Sequence, residues 1–123
     1  MANVNLNNAA FVYAQNALTR LQDVTETKIF DNPANSGKVI FLESIYVANV
    51  SGNNCALTIN IYDSATNATT PTAIVYQLIT TPDVTLLPVL KDGAIVIKEN
   101  QSVYATASVA NALHIVTSWK ELS

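Results

Sequence analysis

Residues 38–49, KVIFLESIYVAN, form a long run of β-branched, aliphatic and aromatic side chains that stops at the turn-forming cluster Ser51-Gly52-Asn53-Asn54. Taken as a strand, the run puts Val39, Phe41, Ile45 and Val47 on one face and Ile40, Leu42, Tyr46 and Ala48 on the other. Both faces are largely apolar, which predicts a central strand. Glu43 interrupts the inward set, and because an unpaired buried carboxylate is costly, a bulge is expected near Glu43-Ser44. A second run, residues 56–63, starts directly after the turn, with Leu57, Ile59 and Ile61 alternating against Thr58, Asn60 and Tyr62. The two runs are expected to pair as a buried β-hairpin.

The same strand-and-turn pattern continues to the C-terminus. Residues 25–30 alternate as a strand, and residues 31–37 make a loop in which Asn32-Pro33 opens a turn and Ser36-Gly37 closes one. Residues 63–72 are the longest polar loop, followed by a strand over 73–80. Residues 84–90 carry Pro88, which predicts an edge strand or a bulge. After a turn at 91–93 come a short strand at 94–98 and a strand at 101–109, with Val103, Ala105 and Ala107 set against Tyr104, Thr106 and Ser108. The last strand, 113–121, sets Leu113, Ile115, Thr117 and Trp119 against His114, Val116, Ser118 and Lys120. About eight strands at near-regular spacing, with no convincing helix, predict an all-β fold: an antiparallel β-sandwich or jelly roll. The start is different in character, with Asn3, Asn5, Asn7 and Asn8 around Val4 and Leu6, then a short apolar run over 9–14. Residues 1–24 are expected to be an N-terminal arm that crosses onto a neighbouring subunit, or edge strands, and residues 25–123 the sandwich domain.

Composition points to neighbours. Only 12% of the 123 residues are charged, about half of the ~25% of an ordinary soluble protein. Asn, Thr and Ser replace the missing charge, and they sit comfortably in protein–protein contacts, where charges are depleted. A net charge of −3 with six Lys and Arg leaves no basic patch for a run of phosphates, so nucleic acid is not an expected partner. No apolar run approaches the ~20 residues of a membrane span, and the N-terminus lacks the basic and apolar regions of a signal peptide. A soluble product made in a cytoplasm, without membrane contact, is expected.

Chemistry is thinly represented. His114 is the sole histidine and Cys55 the sole cysteine; one of each, with no local signature, supports neither a triad, a thiol dyad nor a zinc site. Asp31, Asp63, Asp83 and Asp92 fall in predicted turns without calcium-loop spacing, and turn capping accounts for them. No glycine-rich phosphate loop occurs, so the expectation is no cofactor and no enzymatic activity. Cys55, at the start of an apolar strand, reads as a small buried hydrophobe. Trp119 and Tyr46, Tyr62, Tyr76 and Tyr104 are spread over five predicted strands. Tyr62 and Tyr104 are expected to project outward and cover a subunit contact, while a glycan-binding alternative would use rings such as Tyr62 or Trp119 as stacking platforms.

The order IYVANVSG (45–52), LTINIYD, YQLIT, AIVIKENQSVYATAS and IVTSWKEL resembles the small β-sandwich virion structural proteins of tailed bacteriophages. The resemblance covers residues 27–122 and consists of strand and turn patterns; this chain has Asn100-Gln101 where those proteins usually have Gly-Asp before the second-last strand. It implies a non-enzymatic virion protein. Either it is a capsid decoration (cement) protein bound to the major capsid protein, or it is a neck, tail or fibre component. A homo-oligomer, with three copies, is the expected assembly. Asn7, Phe11 and Tyr13 from the N-terminal segment, Asn67 and Thr69 from the long loop, and Tyr62 and Tyr104 are the expected partner-binding residues.

Overall fold

The computed structural model describes residues 12–83, 85–89 and 95–123. Among these, nine strands and no helix are formed: β1 (Val12–Arg20), β2 (Thr27–Asn32), β3 (Val39–Asn49), β4 (Cys55–Tyr62), β5 (Thr72–Thr80), β6 (Thr85–Val89), β7 (Ile95–Ile97), β8 (Gln101–Ala107) and β9 (Leu113–Leu122). They make two antiparallel sheets. One has the order β1-β9-β3-β6 with β7 also on β3, and the other has the order β2-β8-β4-β5. The pairs β1·β9, β2·β8, β3 with β6 and β7, and β4·β5 are nested. This is the wiring of one long antiparallel ribbon rolled into two layers, the jelly roll. β6 and β7 act as two halves of one strand, since β6 pairs with β3 at Ile45 to Ala48 and β7 pairs with it at Ile40 to Leu42.

The alternating residues close the core. Leu42, Ile45 and Val47 of β3 and Leu113 and Ile115 of β9 face Leu57 and Ile59 of β4 and Val103 and Ala105 of β8, all buried. Phe30 of β2 stacks on Trp119 of β9 with centroids 4.3 Å apart and planes 17° from parallel, tying the layers together at one end. Cys55 is buried as expected.

Two expectations are corrected. β3 and β4 are not a hairpin: β3 belongs to the five-stranded sheet and β4 to the four-stranded one. Each strand has one strongly apolar face, and stacking them in opposite layers buries both faces, which lateral pairing alone does not. Asn49 makes the crossing possible. Its buried side chain donates to the Asn53 carbonyl at 2.8 Å and the Thr80 carbonyl at 2.9 Å, and accepts from the Ser51 N–H at 3.0 Å and hydroxyl at 2.8 Å. The second correction concerns faces. The expected bulge is present, as the β3–β9 register shifts between Leu42 and Ser44. It reverses the alternation, so that Ile40 and Leu42 share the core with Ile45 and Val47 while Phe41 and Tyr46 lie on the outer side. Glu43 reaches Lys120, with 3.5 Å between Oε2 and Nζ.

The remaining features follow the sequence. β3 is central, and β6, which carries Pro88, is an edge. Asn100 adopts φ 61°, the left-handed conformation a glycine would take, so the Asn100-Gln101 departure keeps the turn. Asn32 mirrors Asn49 at the other crossover: its buried amide donates to the carbonyls of Lys38 at 2.9 Å and Ile97 at 3.2 Å, and its oxygen accepts from Ser36.

Candidate interaction surface

The outer face of the five-stranded sheet is built by register. Leu18 of β1 lies opposite Val116 of β9, which lies opposite Tyr46 of β3. These three are 77%, 38% and 43% exposed, so one apolar band crosses three strands in contact with solvent. Asn16, Ser118 and Ser44 form the polar row beside it. Beyond lies a row of Ala14, Lys120, Phe41 and Val96, and past it Val12, Leu122 and Val39. Arg20, His114 and Ala48 border the band on the other side. The acidic side chain beside this face, Glu43, is matched by Lys120. A sheet face of this size with so little charge is suited to being covered by protein.

The outer face of the four-stranded sheet is organised around Glu26, in the connection before β2. Its carboxylate accepts from the Tyr62 hydroxyl at 2.6 and 2.7 Å, from the Asn60 amide at 3.0 Å and from the Asn67 amide at 3.2 Å. Asn67 belongs to the loop 63–71, so one carboxylate ties that loop to β4. Tyr104 meets the Tyr62 ring edge-on at 5.2 Å and 78°, with the Lys28 ammonium 5.9 Å from its own ring centre. Burial pulls the Glu26 carboxyl upward, but the donated hydrogen bonds outweigh it and hold the group below its ordinary value. Burial and the adjacent Glu26 push the Tyr62 phenol up to about 12.

The structure distributes the expected partner residues unevenly. Asn7 and Phe11 lie outside the described residues. Tyr13 sits on β1 opposite Glu121, half exposed. Val12–Arg20, within the segment expected to be an arm or edge strand, pairs along β9 of its own chain and stands last in its sheet among the described residues. Thr69 is exposed on the long loop, and Asn67 is exposed but bonded to Glu26. Tyr62 and Tyr104 do point away from the sandwich core, yet they are only 5% and 7% exposed, because Glu26, Lys28 and the long loop cover them. Their outward direction is the expected one, but what covers them is this chain's own Glu26, Lys28 and long loop. Leu18, Tyr46 and Val116 take their place as exposed apolar side chains. For Tyr46 the signal in the sequence was the second apolar face of residues 38–49. Glu26 had none beyond the alternation of TETKIF. Among the described residues no group of three or more His, Cys, Asp or Glu is placed to hold a metal ion. No helix among them is long and apolar enough to cross a membrane.

No protein-family model matches the chain, and no curated protein matches it. Solved structures do. A subunit of Bacillus endospore appendages, described as a family of disulfide-linked pili, aligns over 100% of this chain and 96% of its own at 10% identity and a TM-score of 0.55. A chain from the T13 IBDV viral particle aligns over 99% of this chain at 10% identity and a TM-score of 0.56. A chain from infectious bursal disease virus, Gx strain, aligns over 91% at 13% identity and 0.54. This chain spans about a third of those two viral chains, 35% and 32%. At such identities the shared property is the fold: this chain has the two-layer β-sandwich of subunits found in viral particles and in a pilus.

Proposed function

We propose that this chain is a structural subunit of a virus particle, a decoration (cement) protein that lies on the major capsid protein and acts by burial rather than by catalysis. The observation that carries the reading is the band of Leu18, Val116 and Tyr46 on the outer face of the five-stranded sheet. Three further facts support it: the sandwich fold shared with chains of viral particles, the low charge of the sequence, and the phage-like strand and turn patterns over residues 27–122. An interface of standard size buries ~1,600 Å². Repetition over a lattice then adds avidity to each modest contact. Copies are expected to associate, as a homo-oligomer of three.

The disulfide-linked mode of the endospore appendages does not transfer, since Cys55 is the sole cysteine and is 1% exposed. The glycan-binding alternative loses both of its named platforms to burial, Tyr62 and Trp119. A neck, tail or fibre position is the remaining alternative. Co-sedimentation separates the two: binding to purified capsids of the cognate particle, and not to tails, is the expected result. Binding to tails alone would remove the decoration reading, and unchanged capsid binding after Val116→Asp would remove the Leu18–Val116–Tyr46 band as its contact.

A further inference from the structure

β5 carries a backbone strain that no turn explains. Among the described residues with positive φ that are not glycine, Asn35, Asp83, Asn100 and Asn111 lie between strands and are of the types that tolerate it. Gln77, at φ 50°, lies inside a strand. It belongs to a bulge: Leu78 pairs with Leu57 and Val75 with Ile59, so Thr58 faces both Tyr76 and Gln77. The Gln77 N–H donates to the Thr58 hydroxyl at 3.1 Å. Val75 and Leu78 pack on the core, while Tyr76 and Gln77 both stand outside. Consecutive residues of a strand normally face opposite sides, so the bulge sets a ring and an amide side by side and strains the backbone to do so. Glycine would hold this φ without strain but would supply no amide.

Tyr76 is 72% exposed, the most of any aromatic side chain among the described residues, and Ile79 on the same outer side is 56% exposed. Their register partners and next neighbours on this face, Ala56, Thr58, Ala73 and Thr106, carry no charge. Glu26, the carboxylate bordering them, is held by Tyr62, Asn60 and Asn67. Asn60, next after Thr58 on this face of β4, gives its Nδ2 to Glu26 and keeps its Oδ1 as an acceptor. The Thr58 hydroxyl accepts from Gln77 and keeps its own proton to donate. A ring beside neutral donors and acceptors suits a pyranose, which has an apolar C–H face to lie on the ring and a rim of hydroxyls that donate and accept. Area argues against a protein held by this patch alone. A tyrosine buries at most ~250 Å², far below the ~800 Å² per partner of a stable protein contact.

We propose that Tyr76, Gln77, Thr58 and Asn60 bind a neutral hexopyranose chain, with one sugar ring stacked on Tyr76 and its hydroxyls bonded to the two amides and the Thr58 hydroxyl. β5 lies in the sheet opposite the Leu18–Val116–Tyr46 band, so a subunit held to a capsid by that band turns this site toward the medium. Repetition over a lattice makes a weak single site effective through avidity. The site does not depend on a virion role, because one chain carries every group of it.

Native affinity electrophoresis of the full chain in gels containing dextran, mannan, galactan or hydroxyethylcellulose tests it, with polygalacturonate as the charged comparison. A neutral polymer should retard the chain and polygalacturonate should not. Tyr76→Ala should raise the dissociation constant for the retarding polymer about tenfold or more, and Tyr76→Phe should keep it within about threefold, because the ring is retained. The position is exposed, so both variants should melt within a few degrees of the unaltered chain. Gln77→Gly relieves the strain and removes the amide, so it should keep the fold and weaken the retardation. Capsid co-sedimentation should be the same for Tyr76→Ala and the unaltered chain, so this site and the decoration reading fail separately. No retardation by any of the four neutral polymers, retardation by polygalacturonate alone, or retardation indifferent to Tyr76→Ala would each overturn the proposal. A dimer in light scattering that Tyr76→Ala dissociates would overturn it in favour of a second copy of this chain as the occupant.

Discussion

Glu26 shows how one side chain decides whether an outer face is open. Its carboxylate collects Tyr62, Asn60 and Asn67, and so closes the loop 63–71 over two tyrosines that alternation alone leaves in solvent. Replacing Glu26 by Gln or Tyr62 by Phe should cost about 1–3 kcal/mol, the range for disturbing a hydrogen bond to a charged, partly buried group, read from urea unfolding midpoints. Each limit of pH should act on a different partner. The folded value of Glu26 lies below the ordinary 4.5, so its contribution is complete above about 4.5 and is lost as pH falls through the lower folded value. Tyr62 titrates at about 12 instead of 10.0, so its contribution is complete below 10.0 and fades as pH climbs toward 12. Proteolysis of the loop 63–71 should therefore stay slow between these limits and accelerate outside them. An ultraviolet titration should show one tyrosine whose high pKa moves down toward 10 in Glu26→Gln; no such movement would remove Glu26 as the cause.

At the scale of elements, two short features set which side chains meet. The Asn49 amide ties the crossover from β3 to β4 to Thr80 of β5, so Asn49→Ala removes a donor from the buried Thr80 carbonyl and one of two from the Asn53 carbonyl, and should cost about 1–3 kcal/mol, measured as a lowered denaturation midpoint at unchanged slope. The bulge at Glu43 has the larger consequence. Glu43→Ala removes a half-exposed ion pair with Lys120 and should cost at most about 1 kcal/mol. Deleting Glu43 altogether would carry one half of β3 across to the wrong face, exposing either Ile45 and Val47 or Ile40 and Leu42; the chain should then fail to yield soluble folded protein. The existence of these elements was largely legible beforehand. Residues 113–121 alternate with the periodicity of a half-buried strand, and Leu113, Ile115, Thr117 and Trp119 are buried as that period requires. Pairing was not legible, because a turn such as Ser51-Gly52-Asn53-Asn54 serves a hairpin and an inter-sheet crossover equally well. The exposed Leu18 was not legible either, since ALTRLQD alternates too weakly to show which side chain faces outward.

At the scale of the whole molecule, the outer face of the five-stranded sheet is the surface whose loss should matter without harm to the fold. Val116→Asp places a charge in the middle of the Leu18–Val116–Tyr46 band at an exposed position. The variant should keep its melting temperature within a few degrees, while binding to capsids in co-sedimentation should fall about tenfold or more. Retained binding would direct attention to the other sheet.

The sequence by itself determined an all-β chain, a central residue 38–49 strand with a bulge at Glu43, an edge at Pro88 and a surface short of charge. Those properties follow from local periodicity and composition, which act over a few residues. Only the tertiary structure decided that β3 and β4 lie in opposite layers, that Tyr62 and Tyr104 are covered, and that Leu18, Val116 and Tyr46 line up as one exposed band. Each of these depends on contacts between residues far apart in the chain, such as Glu26 with Tyr62 or Asn49 with Thr80, and no local pattern encodes which distant partner a strand or a carboxylate will meet.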